Sequence, residues 1–137
     1  MITASIMCLA LNIYHEARGE PLAGQLAVGF STMNRVADKR YPDTVCGVVK
    51  QAKYHSWDLD NPIRHKCQYS WFCDGRSDYP HDDKAMLEST ILAQNIYYGQ
   101  VTDVSEGATH YHATYVNPYW AGDMTIVLET GQHIFYR

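Results

Sequence analysis

The hydrophobic period of this chain changes once, and the change falls at Gly107. Before it, apolar residues recur three and four positions apart, the spacing of helices that bury one face. One such set is Ile2, Ile6, Leu9, Ile13 and Ala17, and a second is Leu22, Leu26, Phe30, Met33 and Ala37. Val45, Val48, Val49 and Ala52 make a shorter third; Leu87, Ile91, Gln94 and Tyr98 make a fourth. After Gly107 the period becomes two: His110, His112, Thr114 and Val116 alternate with Thr109, Tyr111, Ala113 and Tyr115. Two more short strands fit Thr125–Glu129 and His133–Tyr136, with a turn at Thr130–Gly131–Gln132. Helices first and a small antiparallel sheet in the C-terminal third define an α+β chain.

Local signals set the boundaries. Gly19, ahead of Pro21, stops the first helix, and Pro21 opens the second, where a missing N–H costs nothing. Pro42 and Thr44 open the third, Asp82 or Asp83 caps the fourth, and Gly99 ends it. Residues 53–82 hold Pro62, Gly75 and Pro80 and no clean period, and long loops of this kind often carry function. No linker or low-complexity tract divides the 137 residues, so residues 1–137 are expected to form one domain.

Charge and hydrophobicity exclude several classes. Eleven Lys and Arg against fifteen Asp and Glu leave a net charge of −4 with no basic stripe, which argues against a nucleic-acid partner. No apolar run reaches the roughly 20 residues of a membrane span, so membrane insertion is not expected. The first 14 residues contain no Lys or Arg, and Asn12 interrupts their apolar run; they read as a folded helix and not as a signal peptide. Eleven Tyr and three Trp suit either an aromatic-rich core or a wet groove for sugars.

Of the four cysteines, Cys8 lies on the first apolar helix and is expected to be a buried thiol. Cys46, Cys67 and Cys73 form one pair or none, and spacing does not choose among the three possible pairs. The five residues between Cys67 and Cys73 are too many for a paired zinc ligand set.

Three constellations could carry chemistry. In His15-Glu16-Ala17-Arg18-Gly19-Glu20, Glu16 follows Ile13 by three positions and lies at the margin of the buried stripe. Partial desolvation there would raise its pKa and suit it to general acid work. The plainer reading is a helix-end carboxylate paired with Arg18 or Arg35. His110 and His112 point to one side of a strand and, with His15 or Glu16, could form a zinc site; histidine alternation by chance is the other reading. Tyr69, Ser70 and Trp71, on the long loop, suit either a carbohydrate cleft or a hydrophobic plug.

The motifs together resemble the SleB-type, spore-cortex-lytic family of cell wall hydrolases. The likeness runs through Tyr14-His15-Glu16-Ala17-Arg18-Gly19-Glu20-Pro21, Gly24-Gln25, Ala27-Val28 and Asn34-Arg35. It continues through Tyr41-Pro42, Val45-Cys46-Gly47-Val48-Val49, Cys67-Gln68-Tyr69-Ser70-Trp71 and Cys73-Asp74-Gly75. Gly107-Ala108-Thr109-His110-Tyr111-His112, Trp120-Ala121 and His133-Ile134-Phe135-Tyr136-Arg137 complete it, while Lys53–Lys66 fits less well.

The resemblance implies a lysozyme-like, transglycosylase-related domain that cleaves peptidoglycan glycan strands, with Glu16 as catalytic acid and base. It implies lytic transglycosylation without cofactor or metal. The alternatives are a muramidase releasing reducing ends with Glu20 or Asp74 as second carboxylate, a zinc-dependent amidase or peptidase, and a non-catalytic wall-binding module. Tyr69, Ser70, Trp71, Tyr111 and His112 are expected to line the saccharide groove, and Arg18 to orient or charge-balance Glu16. A monomer is expected. It would be made in a host cytoplasm and released onto the wall, as a phage endolysin is, or be the mature domain of an exported bacterial enzyme.

Overall fold

In the computed structural model, which describes residues 1–137, the helical part is built on α1 (Ala4–Ala17). Around it pack α2 (Leu22–Ala37), α3 (Val45–Val49) and α4 (Asp83–Tyr97). Side chains start three of the helices. Thr3 accepts the Ile6 N–H at 3.2 Å, Thr44 that of Gly47 at 3.0 Å and Asp82 that of Ala85 at 3.0 Å. Each satisfies a backbone donor that a helix start leaves orphaned.

The buried faces of α2 and α4 match those read by apolar spacing only in part. On α2, Phe30 of the apolar stripe is buried and Leu26 and Met33 pack against the core, but Leu22 and Ala37 are exposed and the other buried residues are Gly24, Ala27, Val28, Gly29, Ser31, Thr32 and Arg35. On α4 they are Ser89, Ala93 and Ile96, while Leu87, Ile91 and Tyr98 face solvent. The reason is close helix approach. A Cβ on Gly29 would lie 2.5 Å from Ile96 Cδ1 and 3.1 Å from Ile13 Cδ1. Helices this near select small residues at the crossing, whatever larger residues flank them.

The sheet comprises β1 (His110–Ala113), β2 (Ile126–Thr130) and β3 (His133–Tyr136), antiparallel in the order β1-β3-β2. Strand β1 is shorter than the alternation predicts, since the chain turns at Thr114 and Tyr115. It pairs Tyr111 with Phe135 and His112 with Ile134. Phe135 is fully buried and joins the sheet to the helical core with Leu9, Ile13 and Val28. Glu20, just after α1, ties the tip of the β2–β3 hairpin: its Oε1 accepts the Gln132 N–H at 2.8 Å.

All four cysteines are paired, which corrects the expectation of a free Cys8. Cys8 on α1 bonds to Cys46 on α3, and Cys67 bonds to Cys73. Their Cα atoms stand 5.3 and 6.0 Å apart. The first pair was not legible because its members lie 38 residues apart, on helices that meet only in the folded chain. The second closes a small loop around a 3₁₀ turn, Ser70–Cys73. No helix is long and apolar enough to cross a membrane.

Candidate active site

Helix α1 delivers Tyr14, His15 and Glu16 to one end of the helical frame. The Ser70–Cys73 turn and the irregular segment after it face them. Between the two lies a cleft of about 440 Å³, lined by Glu16, Tyr14, His15 and Arg18 on one side. Ser70, Trp71, Asp74, Arg76, Ser77, Tyr79 and His81 line the other.

The Ser70–Cys73 turn is fastened from within. Trp71, 8% exposed, donates its indole N–H to Asn12 Oδ1 at 2.9 Å. Asn12, wholly buried, donates in turn to Thr32 Oγ1 at 3.2 Å. The polar residue that interrupts the apolar run of α1 is therefore a joint between α1, α2 and the cleft wall. His15 stacks on Trp71 at 4.5 Å between ring centroids, and its Nε2–H donates to the Asp78 carbonyl at 2.8 Å.

Glu16 is partly exposed at the cleft and otherwise enclosed. Tyr111 on β1 donates its hydroxyl hydrogen to Glu16 Oε1. Burial raises the Glu16 pKa above the ordinary carboxyl value; the Tyr111 hydrogen bond and the positive charge of Arg35 offset part of that rise. Burial, and then the neighbouring Glu16, hold the Tyr111 hydroxyl well above the usual phenol pKa, so it remains a donor. The site thus combines a carboxyl that tends to keep its proton with two groups that stabilise the anion once the proton leaves.

Other expected site residues are placed differently. Tyr69 is only 3% exposed and belongs to the core, so it does not line the cleft. His112 is committed elsewhere: Nδ1–H donates to the Ala113 carbonyl at 2.7 Å and Nε2 accepts from the Tyr136 hydroxyl at 2.7 Å. With His110 it surrounds Trp120, at 5.7 and 5.1 Å between centroids, forming an aromatic cluster apart from Glu16's cleft. No three of His, Cys, Asp and Glu converge to hold a metal ion.

Arg18 lines the cleft but bonds to the Tyr14 hydroxyl; the guanidinium whose charge acts on Glu16 is that of Arg35. Arg35 is 4% exposed and donates through Nε to the Thr109 carbonyl at 2.6 Å. Of the candidate second carboxylates, Glu20 is engaged by the hairpin tip and Asp74 lines the cleft. Sequence reasoning missed the wall formed by Arg76, Ser77, Tyr79 and His81, which lie in a segment with no period.

A mainly helical frame with a small antiparallel sheet in its C-terminal part is the lysozyme-like fold, and here one desolvated carboxyl stands at the edge of an open cleft. The Cell Wall Hydrolase family model matches residues 19–136, beginning just after Glu16, and the chain belongs to that family. The spore cortex-lytic enzyme of Halalkalibacterium halodurans is 30% identical over 131 residues, covering 95% of this chain and 34% of that protein. The Bacillus subtilis spore cortex-lytic enzyme is 43% identical over 132 residues, covering 95% of this chain and 36% of that protein. The chain thus spans about a third of the length of these curated relatives. Among solved structures, the catalytic domain of the germination-specific lytic transglycosylase SleB from Bacillus anthracis superposes with a TM-score of 0.70. That match has 24% identity and covers 100% of this chain and 97% of the other.

Proposed function

We propose that this chain cleaves the glycan strands of bacterial peptidoglycan between N-acetylmuramic acid and N-acetylglucosamine, as a lytic transglycosylase with Glu16 as both acid and base. The observation that carries the reading is the setting of Glu16: a carboxyl with a raised pKa, on an open cleft, held by the hydroxyl donor of a partly buried tyrosine. The similarity to spore cortex-lytic enzymes, and to a structure titled as a lytic transglycosylase, supports the same reaction.

The Tyr111 donor occupies Oε1, which leaves Oε2 of neutral Glu16 to carry the proton. Glu16 gives that proton to the glycosidic oxygen. The C1–O bond of the muramic sugar breaks and positive charge develops at C1. The Glu16 carboxylate is stabilised at this stage by the Tyr111 hydrogen bond and the charge of Arg35. It then takes the proton from the sugar's own C6 hydroxyl. The C6 oxygen bonds to C1, giving a 1,6-anhydro end and restoring neutral Glu16. The nucleophile is tethered to the reacting ring, so one carboxyl suffices. Trp71 and Ser70 border the strand on the facing wall, and the chain works as a monomer and a single catalytic unit on wall material.

Mass spectrometry of fragments released from purified sacculi tests the reaction. Anhydro ends that disappear in Glu16→Gln are the expected result. Reducing ends would replace transglycosylation by hydrolysis with Asp74 as the second carboxylate, and intact glycan with freed peptide would overturn the glycosidase reading.

A further inference from the structure

Two arginines that form no ion pair line the cleft, beside the carboxyl groups of Glu16 and Asp74, in a protein whose net charge is −4. Arg18 and Arg76 both line it, one on each wall. Neither guanidinium is in an ion pair; the ion pairs of the structure are Arg40 with Asp38 and His133 with Glu20. Asp74, the nearest carboxylate in sequence to Arg76, accepts the Arg76 backbone N–H at 2.8 Å and leaves its guanidinium free. Arg18 is ordered in advance: it bonds to the Tyr14 hydroxyl, with its Cζ 4.6 Å from the centre of that ring.

An unpaired guanidinium beside a substrate groove presents a planar donor fork that matches a carboxylate. Cleavage at Glu16 needs neither cation, since the glycosidic bond is neutral and the charge that develops at C1 is positive. Muramic acid, however, carries a carboxylate on its lactyl group, or further out when a stem peptide is attached. We infer that Arg18 and Arg76 select glycan strands whose muramic acid residues bear free carboxylates over strands in which those carboxylates are neutralised. The inference rests on the peptidoglycan reading above and names what that cleft prefers.

The test measures binding to Glu16→Gln protein, so that it does not depend on turnover. Three soluble glycan preparations are compared: strands with stem peptides, strands stripped to the lactyl carboxylate by an amidase, and stripped strands capped as methylamides. Capped strands are expected to bind about tenfold more weakly than uncapped ones, and the difference to shrink as salt is raised. Adding Arg76→Gln, alone or with Arg18→Gln, should bring the ratio to within about twofold. Stronger binding of the peptide-bearing strands than of the stripped ones would assign the contact to stem carboxylates; the reverse would assign it to the lactyl group. Equal binding of capped and uncapped strands, or a ratio unchanged in both arginine variants, overturns the inference. A binding preference that persists while wild-type protein cleaves none of the three sustains the inference and counts against the reaction proposed at Glu16.

Discussion

Tyr111 donates its hydroxyl hydrogen to Glu16 across 95 residues of sequence, joining the end of α1 to the middle of β1. The contact makes the helix and the sheet one site. It also sets the carboxyl's proton affinity, since burial pushes the pKa up and this hydrogen bond pulls it part of the way back.

Tyr111→Phe removes the donor and keeps the ring. The Glu16 pKa should then rise further, moving the alkaline limb of the pH–rate profile to higher pH. A hydrogen bond to a charged group is worth about 1.5–3 kcal/mol, so kcat should fall about ten- to a hundredfold as the Glu16 anion loses its stabiliser. A profile that keeps its alkaline limb in place would dissociate Tyr111 from the acid.

Arg35→Met removes the second offsetting group. The same limb should move in the same direction, because a positive charge no longer favours the Glu16 anion. Arg35 also fixes the start of β1 through the Thr109 carbonyl at 2.6 Å, so this variant should in addition lose about 1–3 kcal/mol of stability in urea unfolding. Loss of stability with an unmoved limb would make Arg35 a structural tie alone.

The parts of this site that the sequence exposed are those carried by short local patterns. The end of α1 was marked by Gly19 and Pro21, which placed Glu16 at a helix terminus, and the period change after Gly107 placed Tyr111 on a strand. Apolar periodicity found Phe30 on α2 but missed the small residues that α2 and α4 bury, because it weighs residue size: Gly29 meets Ile96 and Ile13 with no room for a Cβ, and α4 buries Ser89 and Ala93 while Leu87 is 62% exposed. Tyr69 and Trp71 look alike as neighbours on a loop. Only the fold separates them: both are buried in the core, but Trp71 also borders the cleft, where its indole N–H is held by Asn12. Arg76 and His81 owe their place on the facing wall to the path of a segment with no regular backbone pattern.

The two disulfides should separate stability from activity. In the chain-entropy account, the Cys8–Cys46 bond, closing 38 residues, is worth about 4 kcal/mol, and the Cys67–Cys73 bond, closing 6, about 2 kcal/mol. Cys8→Ala with Cys46→Ala should therefore lower the unfolding midpoint more. Cys67→Ala with Cys73→Ala should cost more activity at temperatures where both variants remain folded, because it loosens the turn that carries Ser70 and Trp71. Activity assays beside thermal unfolding of the two variants check both orders, and the reverse order in either would refute the assignment.

Glu16 should weaken the fold it serves. Its folded pKa lies above the ordinary carboxyl value, so the folded state binds its proton more tightly than the unfolded chain does. For a raised carboxyl, stability is greatest below the unfolded pKa and is lost as pH rises toward and through the folded one. Glu16→Gln has no proton to lose, and its amide oxygen can still accept from Tyr111. The variant should match wild type near pH 4 and become progressively more stable than it as pH increases, with the gap levelling off once Glu16 is ionised in the folded protein. Thermal unfolding of both proteins across that range reads the gap directly. A constant difference at all pH values would mean that the Glu16 carboxyl titrates alike in both states, and the desolvation that makes it an acid would be lost from the argument.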